Sequence, residues 1–150
     1  MDHGVQVEWL ILADAAQVVA NKLFLLGGGW EVLTVNSGFP VQRHCAVAAS
    51  FRVHWNETNQ PHDLEIEIDD EDGHELFKVA GQVEVGRPAG IPIGQPQRAQ
   101  MAADIALTFD HAGTYVVIGR VNGQESRRVQ FSVMAGPGLA GAKPGEKRGA

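Results

Sequence analysis

Apolar and polar residues alternate along most of this chain, the period of two expected where one face of a β-strand is buried and the other solvated. The clearest run is Val47, Ala49, Phe51, Val53 and Trp55, set between Ala48, Ser50, Arg52, His54 and Asn56. Val5, Val7, Trp9 and Ile11 alternate with Gln6 and Glu8, and Leu64, Ile66 and Ile68 with Glu65, Glu67 and Asp69. Met101, Ala103, Ile105, Leu107 and Phe109 repeat the pattern. Phe77, Val79, Val83 and Val85 predict a further strand, with Gly81 as a bulge. Lys22 to Leu26 and Trp30 to Val35 are apolar runs on either side of Gly27-Gly28-Gly29. Ala13 to Ala20 is the best helical stretch, and it is short. Gly86 to Pro96, with three prolines and three glycines, reads as a long loop. About eight strands and no sustained helical spacing predict an all-β, two-sheet antiparallel sandwich, immunoglobulin-like or related.

The closing segment, Gly113 to Val133, is a hairpin around Asn122-Gly123. A plain two-residue turn would set Val117 opposite Arg128 and Ile118 opposite Arg127, apolar against charged. A shift of one residue pairs Val117 with Val129 and Tyr115 with Phe131. Because a one-residue slip exchanges the two faces, the hydrophobic pattern demands the second register and a three-residue loop or bulge at Asn122-Gly123-Gln124. Tyr115, Val117, Gly119, Val121, Val129, Phe131 and Val133 then face the core.

The segments Leu12-Ala-Asp14, Lys22 to Trp30, Asp70 to Gly73, Val85-Gly-Arg-Pro88 and the closing Gly-x-Tyr…Asn-Gly hairpin resemble a family of small bacterial β-sandwich proteins of unknown function. The likeness runs from about Val5 to Val133, and Gly-Gly-Gly-Trp is its most specific part. It implies a stand-alone cytosolic domain and brings no activity with it.

At 150 residues the chain suits one domain, expected over 1–135, with a disordered Gly/Pro/Lys tail over 136–150. The single cysteine, Cys45, allows no internal disulfide. No leader-like or membrane-length apolar stretch stands out, so a cytoplasmic protein is expected. Net charge is −6. The tail carries Lys143, Lys147 and Arg148 against Glu146, a net of +2, so the body carries −6 − 2 = −8. An acidic body lacks the basic face of a nucleic-acid binder, and no nucleic-acid or membrane partner is expected.

No nucleophile, base and orienting group can be assembled, so no catalytic residue and no cofactor is predicted. His44 and Cys45 are adjacent and point to opposite faces. Asp110-His111 has no serine partner. The six histidines are scattered without metal-ligand spacing. The Asp69 to Asp72 acids invite calcium but are accounted for by an exposed Asp-Gly turn.

The stronger signal is apolar side chains on faces that should be wet. With Trp9, Ile11, Leu23 and Leu25 inward, Leu10, Leu12, Phe24 and Leu26 point outward, and the hairpin register adds Val116 and Ile118. Continuous apolar runs mark strands covered on both sides. The expected cover is the Gly86 to Pro96 loop, a short helix near Ala13 to Ala20, or a second copy of the protein. The leading expectation is a non-enzymatic interaction or self-association module using these six residues. The alternative is a small-ligand or carbohydrate groove lined by Trp30, Trp55 and Arg87.

Overall fold

The computed structural model describes residues 4–137. The described residues are all-β, with ten strands in three sheets where about eight in two were expected. In chain order they are β1 (Gln6–Ala13), β2 (Ala15–Val19), β3 (Lys22–Leu26), β4 (Val32–Val35), β5 (Val41–Val53), β6 (Pro61–Asp70), β7 (Glu75–Glu84), β8 (Gln97–Phe109), β9 (Gly113–Val121) and β10 (Gln124–Ala135). The sheets are β1-β5-β8, β4-β10-β9-β6-β7 and the pair β2-β3. All pairings are antiparallel except β4 with β10, which is parallel. Residues 85–96 carry no regular element, as their prolines and glycines predict. No helix among the described residues is long and apolar enough to cross a membrane. Beyond Gly136 and Pro137, the segment expected as a disordered tail lies outside the described residues.

The main core fills the space between the three- and five-stranded sheets. Val47, Phe51, Val53, Leu107 and Phe109 come from one side, and Ile66, Ile68, Tyr115, Val117, Phe131 and Val133 from the other. Phe109 meets Tyr115 edge-on at 5.0 Å between ring centroids, and Phe131 at 6.1 Å. Trp30 follows the glycine run and packs edge-on against Phe131 at 5.8 Å. Its cross-layer position explains the glycines. Gly27 and Gly29 adopt φ of 60° and 90°, turning the chain so that Gly29 N–H donates to Leu12 O and Trp30 reaches the core.

Two bulges decide which residues face that core. In β10 the predicted register holds, with Val129 opposite Val117 and Phe131 opposite Tyr115. The extra residue lies elsewhere, however. Asn122 and Gly123, at φ of 50° and 82°, close a two-residue turn, and the ladder shifts between Glu125 and Arg127, around Ser126. The Ser126 hydroxyl accepts a 2.8 Å hydrogen bond from Val7 N, tying the bulge to β1. In β1 the register shifts between Val7 and Trp9, and Glu8 is the residue left over. That shift corrects the outward assignment of Leu10 and Leu12. Val5 and Val7 face the core, and past the bulge the phase flips so that Leu10 and Leu12 are buried in it. The Glu8 carboxylate accepts bonds from Arg98 Nε at 2.8 Å and Ser50 Oγ at 2.8 Å. Gly81 is not a bulge either: its register with Leu64 is regular, and a Cβ there would stand 3.1 Å from the Met101 methyl of β8.

Ala13 to Ala20 forms no helix. It supplies β2, which turns at Ala20-Asn21 (φ 50° and 61°) into β3. This β2-β3 flap covers the outer face of the three-stranded sheet, burying Ala16 against Ala13, Ala46 and Ala48 with Trp9, Leu23, Leu25 and Ala102 around them. The flap thus covers the face of Trp9, Ala46 and Ala48 rather than the predicted outward set, and neither the 86–96 loop nor a helix belongs to that cluster.

Two substitutions probe this arrangement. Left-handed backbone at an alanine costs about 1 kcal/mol, so Ala20→Gly raises unfolding free energy by up to about that amount. A Cβ on Gly119 would lie 3.0 Å from Val7 Cγ2 and 3.5 Å from Leu10, so Gly119→Ala lowers it by about 1–3 kcal/mol through overpacking. Urea denaturation of both variants reads these signs directly.

Candidate functional site

The six predicted interaction residues do not share one surface. Leu10 and Leu12 belong to the core. Phe24 and Leu26 stay on the outside of the flap, 57% and 71% exposed, with Val19 beside them at 46%. Val116 and Ile118 lie on the outer face of the five-stranded sheet. There Ile118 is buried between its cross-strand neighbours Glu67 and Arg128, the first largely buried and ion-paired, the second half-exposed.

That outer face carries a dense set of charges. Glu65 and Glu67 project from β6 toward Arg120 of β9, whose Nη1 lies 2.7 Å from Glu65 Oε2 and 2.8 Å from Glu67 Oε1. Lys78 of β7 flanks both carboxylates at 3.6 and 3.7 Å. Asp69 continues the row and pairs with Val116, but no cation reaches it. The residue is 7% exposed, and its buried Oδ1 has no hydrogen-bond partner among the described residues. Burial, and then the hydrogen bond and negative charge of Glu67, push the Asp69 carboxyl up to about 6. Burial also pushes Glu67 up, but its bonds to Asp69 and Arg120 outweigh that and hold it below its usual value. Asp69 is thus the acid of this row that gives up its proton last. Beside them a pocket of about 310 Å³ opens, lined by Asp69, Glu71, Val116, Ile118, Arg128 and Gln130.

The acidic turn has its own account. Asp70 Oδ1 accepts from Asp72 N at 2.9 Å and His74 N at 2.8 Å, and Oδ2 meets His74 Nδ1 at 3.1 Å. Asp70, Asp72 and His74 bring ligand-type atoms within 4.8 Å of one another, yet the Asp70 oxygens are already used to fold the turn. Of the groove candidates, Arg87 and Trp55 do meet: the guanidinium lies 4.1 Å over the indole and bonds Thr58 Oγ1 at 2.6 Å and Trp55 O at 2.7 Å. Trp30 is elsewhere, because its edge-on contact with Phe131, which in turn meets Phe109, marks the Val41 end of β5, whereas Trp55 follows the Val53 end. His44 is exposed and Cys45 buried, its thiol pushed up to about 11 mainly by burial. His111 stacks on Tyr115, whose hydroxyl donates to His111 O at 2.7 Å.

The Asp69 pocket was invisible along the chain because β6 alternates like any solvated strand. Only the fold shows that Arg120, 51 positions after Asp69, satisfies Glu65 and Glu67 and leaves Asp69 out. A carboxyl whose folded pKa lies above its ordinary 3.8 adds stability while protonated and loses it as pH rises toward about 6. Asp69→Asn keeps a donor for Glu67 and never ionises. Its stability gain over the native chain grows between about pH 4 and 6 and levels off above, at about 1–3 kcal/mol. Chemical denaturation across that range checks it.

No curated protein matches the chain. Among solved structures it is similar to the Pseudomonas fluorescens alkylpurine DNA glycosylase AlkC bound to DNA containing an abasic site analog, with 15% identity and a TM-score of 0.48 over 87% of this chain and 30% of that one. The chain spans less than a third of that protein, and a likeness so low carries no functional argument. The family likeness read from the Gly-Gly-Gly-Trp and hairpin segments has firmer footing: a family model matches residues 8–134, and the chain belongs to the family of unknown function DUF6941.

Proposed function

We propose that this protein is a non-enzymatic interaction module of immunoglobulin-like, two-layer build that associates with a second copy of itself through the flap. The observation that carries this reading is the outer side of β3, where Phe24 and Leu26 are largely exposed on a strand that pairs only with β2. An edge strand with unpaired N–H and C=O groups is a template for another strand. Two β3 edges pairing antiparallel about Leu25 would join two flaps into one four-stranded sheet and bring Phe24 of each protomer against Leu26 of the other. Burying the two side chains contributes roughly 3–6 kcal/mol per protomer before the costs of association. The buried, poorly ionised Cys45 and the separation of His44 from it support a binding role over nucleophilic chemistry.

The carbohydrate reading is weaker, because Arg87 already occupies one face of Trp55 and Trp30 is committed to the core. Light scattering after size exclusion is expected to show a dimer for the native chain. The double variant Phe24→Lys, Leu26→Lys is expected to elute as a monomer with an unchanged circular dichroism spectrum, since both positions are exposed, and its melting temperature is expected to lose the concentration dependence that a dimer shows. A native chain that stays monomeric at high concentration sinks the proposal, and so does a dimer indifferent to both lysines.

A further inference from the structure

The pocket beside Asp69 has a composition that self-association through the flap does not explain. It lies on the outer face of the opposite sheet, and three kinds of surface converge there. Val116 and Ile118 form an apolar floor, Asp69 and Glu71 an acidic wall, and Arg128 and Gln130 the far side. Arg128 is drawn away by Glu125, whose carboxylate takes its Nε at 3.1 Å and Nη2 at 2.7 Å. Arg120 and Lys78 are likewise engaged by Glu65 and Glu67, and Lys78 also by Glu75. Each of these three cations therefore has its carboxylate, while Asp69, 7% exposed, bonds only its like-charged neighbour Glu67 and keeps Oδ1 without a donor among the described residues. Buried polar atoms are rarely left so, and each exception calls for a cause.

We propose that this pocket binds a small organic cation, a primary ammonium on a short apolar body, with the Asp69 carboxylate as its counter-ion. The ammonium supplies the hydrogen-bond donors that Oδ1 lacks. A carboxyl torsion is broad and two-fold, so turning either oxygen toward the pocket is cheap. The apolar body lies over Val116 and Ile118, and about 310 Å³ accommodates a chain of a few carbons with room for water. A bare divalent ion fits less well. Hard cations want several oxygens, whereas Asp69 offers one orphan oxygen over an apolar floor and Asp70 is taken up by its turn.

The charges around Asp69 come from every neighbouring element. Glu67 stands on its own strand, Arg120 on β9, Arg128 on β10, Glu75 and Lys78 on β7, and Asp70 and Glu71 in the turn. With the cations paired off, the surplus at the pocket is negative.

An NMR titration of the full chain with n-butylammonium chloride tests the proposal. n-Butanol tests the same body without charge, and calcium chloride tests charge without the body. The expected result is saturable shifts at Val116 and Ile118 with n-butylammonium, and none with the other two. In Asp69→Asn the affinity is expected to fall by about tenfold or more, because the charge-assisted bond is lost, while the variant melts no lower than the native chain. Absence of saturable shifts overturns the proposal. So does an equal response of Asp69→Asn, or shifts at the same residues with butanol or calcium. None of these outcomes bears on the flap, since Phe24 and Leu26 lie on the other sheet's side.

Discussion

The middle of β5, from Cys45 to Phe51, is buried on both faces, and most of the molecule is arranged to satisfy that demand. One face, with Val47, Ala49 and Phe51, meets the five-stranded sheet. The other presents Ala46 and Ala48, side chains small enough for a second layer to lie close against the strand. A three-stranded sheet has nothing of its own to cover that face, so the chain spends β2 and β3 on it immediately after β1. The flap then needs a return path, which the glycine run supplies, and the return delivers Trp30 to Phe131 in the main core. Two separate hydrophobic clusters thus hang on one strand.

What could be read along the chain, and what could not, follows from the phase of each strand. The register of the closing hairpin was legible because it was over-determined: Val117, Val129, Tyr115 and Phe131 had to share a face, and only one pairing allows it. The position of the extra residue was not, since Asn122-Gly123 invites a bulge as readily as a tight turn, and Ser126 is chosen by a bond to Val7 that lies 119 residues away. In β1 the same device went unseen. Val5, Val7, Trp9 and Ile11 alternate without a break, yet Glu8 is skipped and Leu10 and Leu12 take over the core. The reason is electrostatic and distant, because Ser50 and Arg98 hold the Glu8 carboxylate on the outer side. The family likeness could not reveal this either, for Gly-Gly-Gly-Trp marks where the flap ends without saying that a flap exists.

The flap was illegible for a related reason. Val18-Val19-Ala20-Asn21-Lys22 lacks the glycine that usually announces a two-residue turn, and Ala20 takes a left-handed conformation instead. Short alanine-rich strands read as weak helix. Tertiary packing on Ala46 and Ala48 overrides that local preference.

The two outer faces of the molecule differ in how they settle their residual groups, and that difference separates the two proposed sites. On the flap the excess is apolar: Phe24 and Leu26 contribute nothing to the underside cluster, and a two-stranded ribbon is too weak to hold shape without packing on at least one face. On the opposite sheet the excess is ionic. Glu65 and Glu67 gain Arg120 and Lys78 across the ladder, and the next acid in the row, Asp69, gains no cation and stands beside Val116 and Glu67. An asparagine would satisfy Glu67 equally and avoid ionisation in a buried place. A carboxylate kept there at a cost in stability, beside an open pocket, is the kind of local conflict that folding alone does not ask for and that binding a cation resolves.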